Sequence, residues 1–278
     1  MNLNTDAKNT WCPGCGNFAI LSSIKAVIGS IIEEGTPAEN IVIVCGIGCH
    51  AKIVDYINVN SFYSLHGRVV PVASGIKIAN PKLKVIGFAG DGDCYGEGLE
   101  HLLFAAKRNI DITMIVHNNR VYGLTTGQTT PTSPLGYKSR STPFGAKELP
   151  LNPLEVVLSA GGTYLARGFS NKIDALKKTL KEAVSHKGFS LVDVLQVCVT
   201  FNNLYDYYNK NIYELEGNNI ADFDEAMKRV REWDYNKEAP ISLGTFYKKE
   251  SASFESSFPQ DRELNKKEKV REVLGRYS

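Results

Sequence analysis

Paired cysteines and a glycine-flanked aspartate are the residues whose types and spacing could do chemistry. Cys12 and Cys15 form a Cys-x-x-Cys pair in the segment WCPGCG at residues 11–16. Such a pair acts in disulfide exchange when it sits between a strand and a helix. We predict no strand before it, so this glycine-bearing turn is better suited to holding a metal centre. Because thiolate-held centres generally take four ligands, two further cysteines are needed.

Cys49 and Cys198 are the candidates for these two positions. Each follows a run typical of a buried strand, at residues 41–45 and 191–195. If the two strands are parallel, their carboxyl ends lie at one edge of the sheet, where all four thiols can converge. In a reducing compartment, clustered thiols more often hold metal or do redox chemistry than form structural disulfides.

Gly90-Asp91-Gly92-Asp93 follows a third apolar run, and a segment with helical spacing comes after it. Phosphates bind where the carboxyl end of a strand leads into a helix, because free backbone N–H groups point there. The glycine spacing matches neither the dinucleotide fingerprint nor the P-loop. Asp91 instead suits a divalent ion that bridges carboxylate and phosphate oxygens, and the Asn118-Asn119 pair at the end of the next strand offers a second oxygen at the same edge of the sheet. A structural turn with a loop cap is the alternative.

The elements that must position these residues are short strands alternating with longer helices. Apolar, β-branched-rich runs at 41–44, 84–89, 112–117 and 191–195 predict strands buried on both faces. Helical spacing occurs at 18–34, 69–79, 96–108, 153–160 and 172–185. The alternation predicts an α/β fold with a doubly wound, mostly parallel sheet.

Two stretches depart from this alternation. Residues 118–150 hold many Gly, Pro, Ser and Thr with little periodicity, which indicates a long functional loop. The pattern weakens after about residue 200. We therefore predict a domain over residues 1–203 and a C-terminal extension over 204–278, packed on that domain or on a partner. Within the extension we expect a helix at 222–233 and a charged helix or tail at 260–278.

Composition excludes several classes of function. The 32 Lys and Arg residues balance 30 Asp and Glu residues, and the net charge of +2 gives no field that would recruit nucleic acid. The N-terminus lacks the features of a signal peptide, and no stretch approaches the ~20 apolar residues of a bilayer span. We expect a cytoplasmic protein that binds neither nucleic acid nor membrane.

Taken together, the motifs closely resemble those of the β subunit of archaeal and bacterial 2-oxoacid:ferredoxin oxidoreductases. The shared elements are WCPGCG at 11–16, GIGC at 46–49, LHGR at 65–68, GDGD at 90–93, NN-x-VYGLT at 118–125, GQ-x-x-PTS at 127–133 and the Cys198 region before Thr200. GDG followed by NN also resembles the thiamine-diphosphate-binding motif. The resemblance implies the diphosphate-binding domain of the thiamine diphosphate fold.

The resemblance also implies which residues bind cofactors. Cys12, Cys15, Cys49 and Cys198 would ligate a [4Fe–4S] cluster, and Asp91, Asn119 and the Val121 carbonyl would hold Mg²⁺. Cys45 and Cys94 are expected to be bystanders in the core. The implied thiamine diphosphate contacts are Ile47, Gly48, His50, His66, Gly67, Arg68, Gly90, Asp91, Gly92, Asp93, Asn119, Val121, Gly123, Leu124 and Thr125.

Three residues are expected near the reacting groups. Lys52 is a candidate for binding the 2-oxoacid carboxylate as a point charge, and His66 for a cofactor contact. Thr126 stands where many relatives carry lysine, which removes a possible contact to the substrate. For Lys52 and His66, a structural or solvated role is the alternative.

The implied reaction is CoA-dependent oxidative decarboxylation of a 2-oxoacid such as pyruvate or 2-oxoglutarate, with electrons passing to ferredoxin. The glutamate that activates thiamine diphosphate is expected on an α subunit that carries the pyrimidine-binding domain, in an αβ heterodimer or a dimer of heterodimers. Two alternatives stay open. One is a non-redox thiamine diphosphate decarboxylase or synthase subunit whose cysteines hold zinc or nothing, and the other is a non-catalytic iron–sulfur electron-transfer subunit.

Overall fold

The computed structural model describes residues 2–258, 271–272 and 274–276. Its strands are β1 (Ile41–Cys45), β2 (Asn60–Tyr63), β3 (Lys84–Gly90), β4 (Thr113–Asn118), β5 (Val121–Tyr122), β6 (Gln128–Thr129), β7 (Tyr164–Phe169), β8 (Ser190–Leu195), β9 (Ile212–Glu214) and β10 (Ile241–Lys248). Its α-helices are α1 (Asn17–Glu33), α2 (Val69–Ala79), α3 (Leu99–Arg108), α4 (Pro153–Ser159), α5 (Ile173–Ser185), α6 (Tyr205–Asn211) and α7 (Phe223–Val230). Most of the terminal helix or tail expected at 260–278 lies outside the described residues.

Eight strands form one sheet in the order β2-β1-β3-β4-β8-β7-β10-β9. All neighbours are parallel except β10 and β7, which are antiparallel. Strands β1, β3, β4 and β8 are mostly apolar and buried because helices cover both of their faces. The predicted doubly wound, mostly parallel α/β fold is confirmed.

Two hydrophobic cores lie on opposite faces of the sheet. On one face, Ile24 of α1 and Leu180 of α5 belong to the cluster that includes Ile43 of β1. On the other face, helices α2, α3, α4 and α7 pack against the sheet, with Leu102 of α3 in the same cluster as Met114 of β4. No helix among the described residues is long and apolar enough to cross a membrane.

Of the eight strands in the sheet, β2, β7, β9 and β10 were not predicted. In β7, Arg167 and Gly168 interrupt the apolar run, yet Arg167 is fully buried. Its guanidinium carbon lies 5.2 Å from the ring centroid of Trp233 and 5.3 Å from that of Tyr235. The Tyr235 hydroxyl donates to Asp193 Oδ2 at 2.6 Å. Residues after 203 thus share a core and a sheet with the rest, and the division at residue 203 stays a prediction.

The helical segment after β3, Gly92–Glu97, approaches Gly46, just after β1, too closely for a side chain at that position. A Cβ atom at Gly46 would overlap the carboxylate of Asp93, while one at Gly29, in the middle of α1, would meet nothing within 4 Å.

We therefore expect Gly46→Ala to lower the free energy of unfolding by about 1–3 kcal/mol, the usual cost of overpacking. Gly29→Ala, the matched control, should raise it by about 0.5–1 kcal/mol, because alanine loses less backbone entropy in a helix. Urea unfolding measures both. Equal changes in the free energy of unfolding for the two variants would mean that Asp93 does not pack against Gly46 as described.

Candidate functional site

Four parallel strands bring the predicted motifs to one edge of the sheet. Strand β3 pairs with β1 and β4, and β4 pairs with β8, all in parallel. Their carboxyl ends are Cys45, Gly90, Asn118 and Leu195. The GIGC, GDGD, NN and Cys198 segments therefore meet there, although they lie far apart in sequence.

A cavity of about 190 Å³, which we call the carboxyl-end pocket, opens at these strand ends. It is lined by Ile47, Gly48, Cys49, His50, His66, Gly90, Asp91, Gly92, Asp93, His117, Asn119, Val121, Tyr122, Gly123, Leu124 and Thr125. A Cβ atom at Gly92 would overlap the Tyr122 ring, and one at Gly90 would lie 2.9 Å from His50 Nδ1. The glycines therefore keep this wall of the pocket as bare backbone.

Asp91 is a buried carboxylate on the wall of the carboxyl-end pocket. Its Oδ2 accepts hydrogen bonds from the Thr130 hydroxyl at 2.5 Å and the Thr132 hydroxyl at 2.9 Å. Burial raises the pKa of Asp91 to about 6, and the two hydroxyls oppose that shift. A bound divalent cation would offset the cost of burial and favour the ionised carboxylate.

Asn119 lines the same pocket as Asp91 and is held at both ends of its amide. Its Oδ1 accepts from the Val121 backbone N–H at 3.0 Å, and its Nδ2 donates to Gln196 Oε1 at 3.0 Å. The preceding residue, Asn118, is fully buried and donates to Asp193 Oδ1 at 3.0 Å. Hydrogen bonds thus fix the loop that presents Asn119 and the Val121 carbonyl.

His50 and Asp93 form a buried pair on the wall of the same pocket. His50 Nε2 and Asp93 Oδ2 lie 3.3 Å apart, at ion-pair distance but without the alignment of a hydrogen bond. Asp93 Oδ1 accepts from the Gly67 backbone N–H at 2.6 Å. The LHGR segment is thereby joined to GDGD through the Asp93 carboxylate.

A second cavity of about 220 Å³, the thiol pocket, lies beside the first. It is lined by Thr10, Trp11, Cys12, Cys15, Asn17, Cys49, Lys52, Asn119, Gly123, Leu124, Thr126, Gln196, Cys198, Val199, Thr200 and Phe201. Cys49, Asn119, Gly123 and Leu124 line both cavities. The two pockets therefore adjoin, and these four residues form the wall between them.

The four predicted thiols are free and line the thiol pocket together. Burial, together with the thiols of Cys198, Cys49 and Cys12, raises the pKa of Cys15 to about 11. Burial also raises the pKa of Cys49, while the Lys52 ammonium lowers it. Across the described part of the chain, no three His, Cys, Asp or Glu side chains converge closely enough to hold a single metal ion. The thiols surround a cavity instead, and their protons would be displaced by a cationic centre placed in it.

Gln196 lines the thiol pocket and connects Cys15 to Asn119, which lines both pockets. Its Nε2 lies 3.4 Å from Cys15 Sγ, and its Oε1 accepts the bond from Asn119. At the outer edge, the Thr200 hydroxyl donates to Cys12 Sγ at 3.5 Å, and Cys12 is exposed. The thiol pocket therefore runs from the buried strand ends to the surface.

This chain is similar in sequence and in structure to several known proteins. The family model described as the C-terminal TPP-binding domain of thiamine pyrophosphate enzymes matches residues 46–194, and the model for the C-terminal part of the pyruvate ferredoxin oxidoreductase beta subunit matches 198–263. The beta subunit of 2-oxoacid:ferredoxin oxidoreductase 1 from Aeropyrum pernix is 40% identical over 260 residues, covering 88% of this chain and 80% of that protein. The corresponding subunit from Saccharolobus solfataricus is 41% identical, covering 88% and 83%. The chain belongs to the 2-oxoacid:ferredoxin oxidoreductase β-subunit family.

A solved structure supports the same assignment. It is 2-oxoglutarate:ferredoxin oxidoreductase from Magnetococcus marinus with 2-oxoglutarate, coenzyme A and succinyl-CoA bound. Its similarity to this β subunit extends over 98% of this chain and 89% of that chain, with a TM-score of 0.86 and 31% identity.

Most of the cofactor contacts expected for a β subunit line the carboxyl-end pocket. Gly67 and Arg68 do not: Gly67 donates to Asp93, and the exposed Arg68 contacts His101 Nε2 through Nη1 at 2.7 Å. His66 lines the pocket and is half exposed, with Nδ1 3.7 Å from Glu97 Oε1. Cys45 and Cys94 are buried and line neither pocket.

Lys52 and Thr126 line the thiol pocket of the β subunit rather than the carboxyl-end pocket. Lys52 Nζ donates to the Thr10 hydroxyl at 3.0 Å. Thr126 has a φ of 79°, in the left-handed region that β-branched residues rarely adopt. A tight turn holds it there, with Gly127 N donating to Tyr122 O at 2.8 Å.

Sequence reasoning missed the side chains that hold the expected ligands in place. Thr130 and Thr132 lie in the GQ-x-x-PTS motif at 127–133, for which no role was predicted. Gln196 follows β8 and belongs to no motif at all. All three are polar residues close to the carboxyl end of a strand or in the long loop, which is the one signal that pointed to them.

Proposed function

We propose that this chain is the β subunit of a complex that converts a 2-oxoacid and CoA to acyl-CoA and CO₂ while reducing ferredoxin. The carboxyl-end pocket would hold the diphosphate of thiamine diphosphate through Mg²⁺, and the thiol pocket a [4Fe–4S] cluster. The observation that carries the proposal is that the two pockets adjoin and share Cys49 and Asn119.

The Mg²⁺ site would use Asp91, the Asn119 side chain and the Val121 carbonyl. Carboxylate, amide and carbonyl oxygens are the ligands this ion prefers, and diphosphate oxygens would complete its coordination. Thr130 and Thr132 keep the Asp91 carboxylate oriented by donating to Oδ2. Thiamine diphosphate, once bound, supplies the carbanion stabilisation that decarboxylation requires.

The cluster would be ligated by Cys12, Cys15, Cys49 and Cys198, and it would supply one-electron chemistry. Gln196 Nε2, 3.4 Å from Cys15 Sγ, is placed to donate to a cluster ligand. Lys52 puts a positive charge on the pocket wall near Cys49, where it would attract the substrate carboxylate. The cofactor and the electron outlet would thus be held by adjacent walls of one chain.

An α subunit would complete the active site. The assignment as a β subunit implies such a partner, and the pyrimidine-binding domain would belong to it. The Magnetococcus relative, with 2-oxoglutarate, coenzyme A and succinyl-CoA bound, supports a 2-oxoacid as substrate and CoA as acyl acceptor. Pyruvate and 2-oxoglutarate are the substrates to compare first.

Product analysis of the complex tests this function. The αβ complex, purified without oxygen, should form acyl-CoA and CO₂ in equal amounts and reduce two equivalents of a one-electron acceptor, whereas the β chain alone should form none. A colourless, zinc-loaded complex that decarboxylates without reducing the acceptor would support the non-redox alternative. A complex without thiamine diphosphate would support the electron-carrier alternative.

A further inference from the structure

A small hairpin projects beside the thiol pocket. Residues 136–147 fold back on themselves, with Gly136 N donating to Ala146 O and Ala146 N donating to Tyr137 O, each at 2.9 Å. Ser139 and Thr142 close the turn by exchanging backbone hydrogen bonds at 3.2 and 3.3 Å. We call this segment the basic hairpin. It lies in the long loop over residues 118–150, and the proposed reaction assigns it no role.

The basic hairpin is attached to the segment that carries Cys198. The Tyr137 hydroxyl donates to the Phe201 carbonyl at 3.0 Å, and Phe201 lines the thiol pocket. Burial, and secondarily the Cys198 thiol, raises the pKa of Tyr137. A partner bound at the hairpin would therefore be separated from the thiol pocket only by Tyr137 and Phe201.

The hairpin is basic and carries one protruding aromatic ring. Lys138, Arg140 and Lys147 lie at or near the surface, and among the described residues none of the three has an acidic partner within ion-pair distance. Phe144 is 86% exposed, more than any other large hydrophobic residue described. Exposed aromatic residues rimmed by unpaired charge are typical of protein-binding surfaces.

The thiol pocket opens towards the surface through Cys12, which is exposed and bonded by the Thr200 hydroxyl. Thr200 adjoins Phe201, on which the hairpin rests. The hairpin that carries the positive charges and the exposed Cys12 edge of the thiol pocket therefore both contact the stretch at residues 198–201. Electron transfer requires a partner to approach that edge closely, and charge attraction raises the rate of such encounters.

We propose that the basic hairpin is a docking site for an acidic ferredoxin, the electron acceptor of the complex. This inference rests on the proposed function, and it adds the surface at which electrons leave. Lys138, Arg140 and Lys147 steer the acidic partner, while Phe144 contributes apolar contact at the centre. Such interfaces are small and short-lived, so most of the effect of the charges falls on the association rate.

Charge reversal of the hairpin tests the inference in the αβ complex. K138E/R140E/K147E should lower kcat/KM for an acidic ferredoxin by ~10-fold or more at low ionic strength and flatten its salt dependence. Its kcat with methyl viologen, a small acceptor, should not change. K82E/K107E/K187E is the matched control, because these lysines lie near the opposite, amino-terminal ends of β3, β4 and β8. The control should keep wild-type kcat/KM with both acceptors.

A milder set, K138Q/R140Q/K147Q, should give a smaller loss in the same direction, and F144A should lower ferredoxin turnover without altering the salt dependence. Unchanged ferredoxin kinetics in the charge-reversal variant would overturn the inference. Loss of the α subunit from that variant on purification would also overturn it, by making the hairpin a subunit interface. Failure of the wild-type complex to reduce viologen would instead reject the proposed function itself.

Discussion

Cys15→Ala is expected to prevent binding of the proposed [4Fe–4S] cluster and to abolish electron transfer by the complex. Cys15 lines the thiol pocket with three other thiols, and removing one ligand leaves three for a centre that takes four. Mutating a residue that only contacts a metal ligand typically lowers metal affinity or activity by about 10–100-fold. Because Cys15 is itself a proposed ligand, we expect the rate of acceptor reduction to fall by at least ~100-fold. Iron and sulfide content, visible absorbance and viologen reduction measure the loss.

Cys45→Ala is the matched control for this experiment. Cys45 lies at the end of β1, four residues before Cys49, but is buried in the core and lines neither pocket. Its loss should leave iron content unchanged. Thiamine diphosphate binding in Cys15→Ala should also persist, because Asp91 and Asn119 are intact. Full iron content in Cys15→Ala, or iron loss in Cys45→Ala, would contradict the ligand assignment.

Asp91→Asn is expected to abolish Mg²⁺-dependent binding of thiamine diphosphate while leaving the chain folded. The amide keeps the shape and can still accept bonds from the Thr130 and Thr132 hydroxyls, but it lacks the charge that a divalent ion requires. We expect cofactor affinity to fall by ~100-fold or more, with activity lost in proportion. Calorimetric titration of the αβ complex with cofactor and Mg²⁺ gives the affinity.

The free energy of unfolding of Asp91→Asn distinguishes a direct loss of cofactor binding from a loss caused by unfolding. Burial raises the pKa of Asp91 from 3.8 to about 6, so above about pH 6 the buried charge disfavours the folded state, and below about pH 4 that cost is absent. Asp91→Asn should therefore stabilise the cofactor-free chain at pH 7, by up to roughly 3 kcal/mol. Asp174→Ala, at an exposed carboxylate on α5, should change neither stability nor cofactor affinity by much. A large loss of stability in Asp91→Asn would contradict this account.

Many of the residues that line the two pockets could be predicted from sequence, because they follow a strand, whereas Cys12 and Cys15 precede β1 and were predicted from their spacing. Once β1, β3, β4 and β8 are parallel, the segments after Cys45, Gly90, Asn118 and Leu195 have to meet. The prediction of strands failed where a strand contains residues that are uncommon in buried strands. β7 contains Arg167 and Gly168, and the arginine is buried only because Trp233 and Tyr235 cover its guanidinium.

The contacts that orient the ligands could not be predicted, because they join residues distant in sequence. Thr132 donates to Asp91 across 41 positions, and Gln196 reaches Cys15 across 181. Nothing local in either segment indicates the partner. The same holds for Arg68, whose position in LHGR suggested a diphosphate contact but whose guanidinium lies against His101 on the surface.

Electron flow out of the substrate through this chain is the central claim, and it can be observed directly. The αβ complex, loaded with thiamine diphosphate and held without oxygen, CoA or acceptor, is mixed with the 2-oxoacid and frozen for electron paramagnetic resonance. We predict the signal of a reduced [4Fe–4S] cluster that is present in wild type and Cys45→Ala but missing in Cys15→Ala. Release of CO₂ from the fully loaded wild-type complex with no change in that signal would contradict the account.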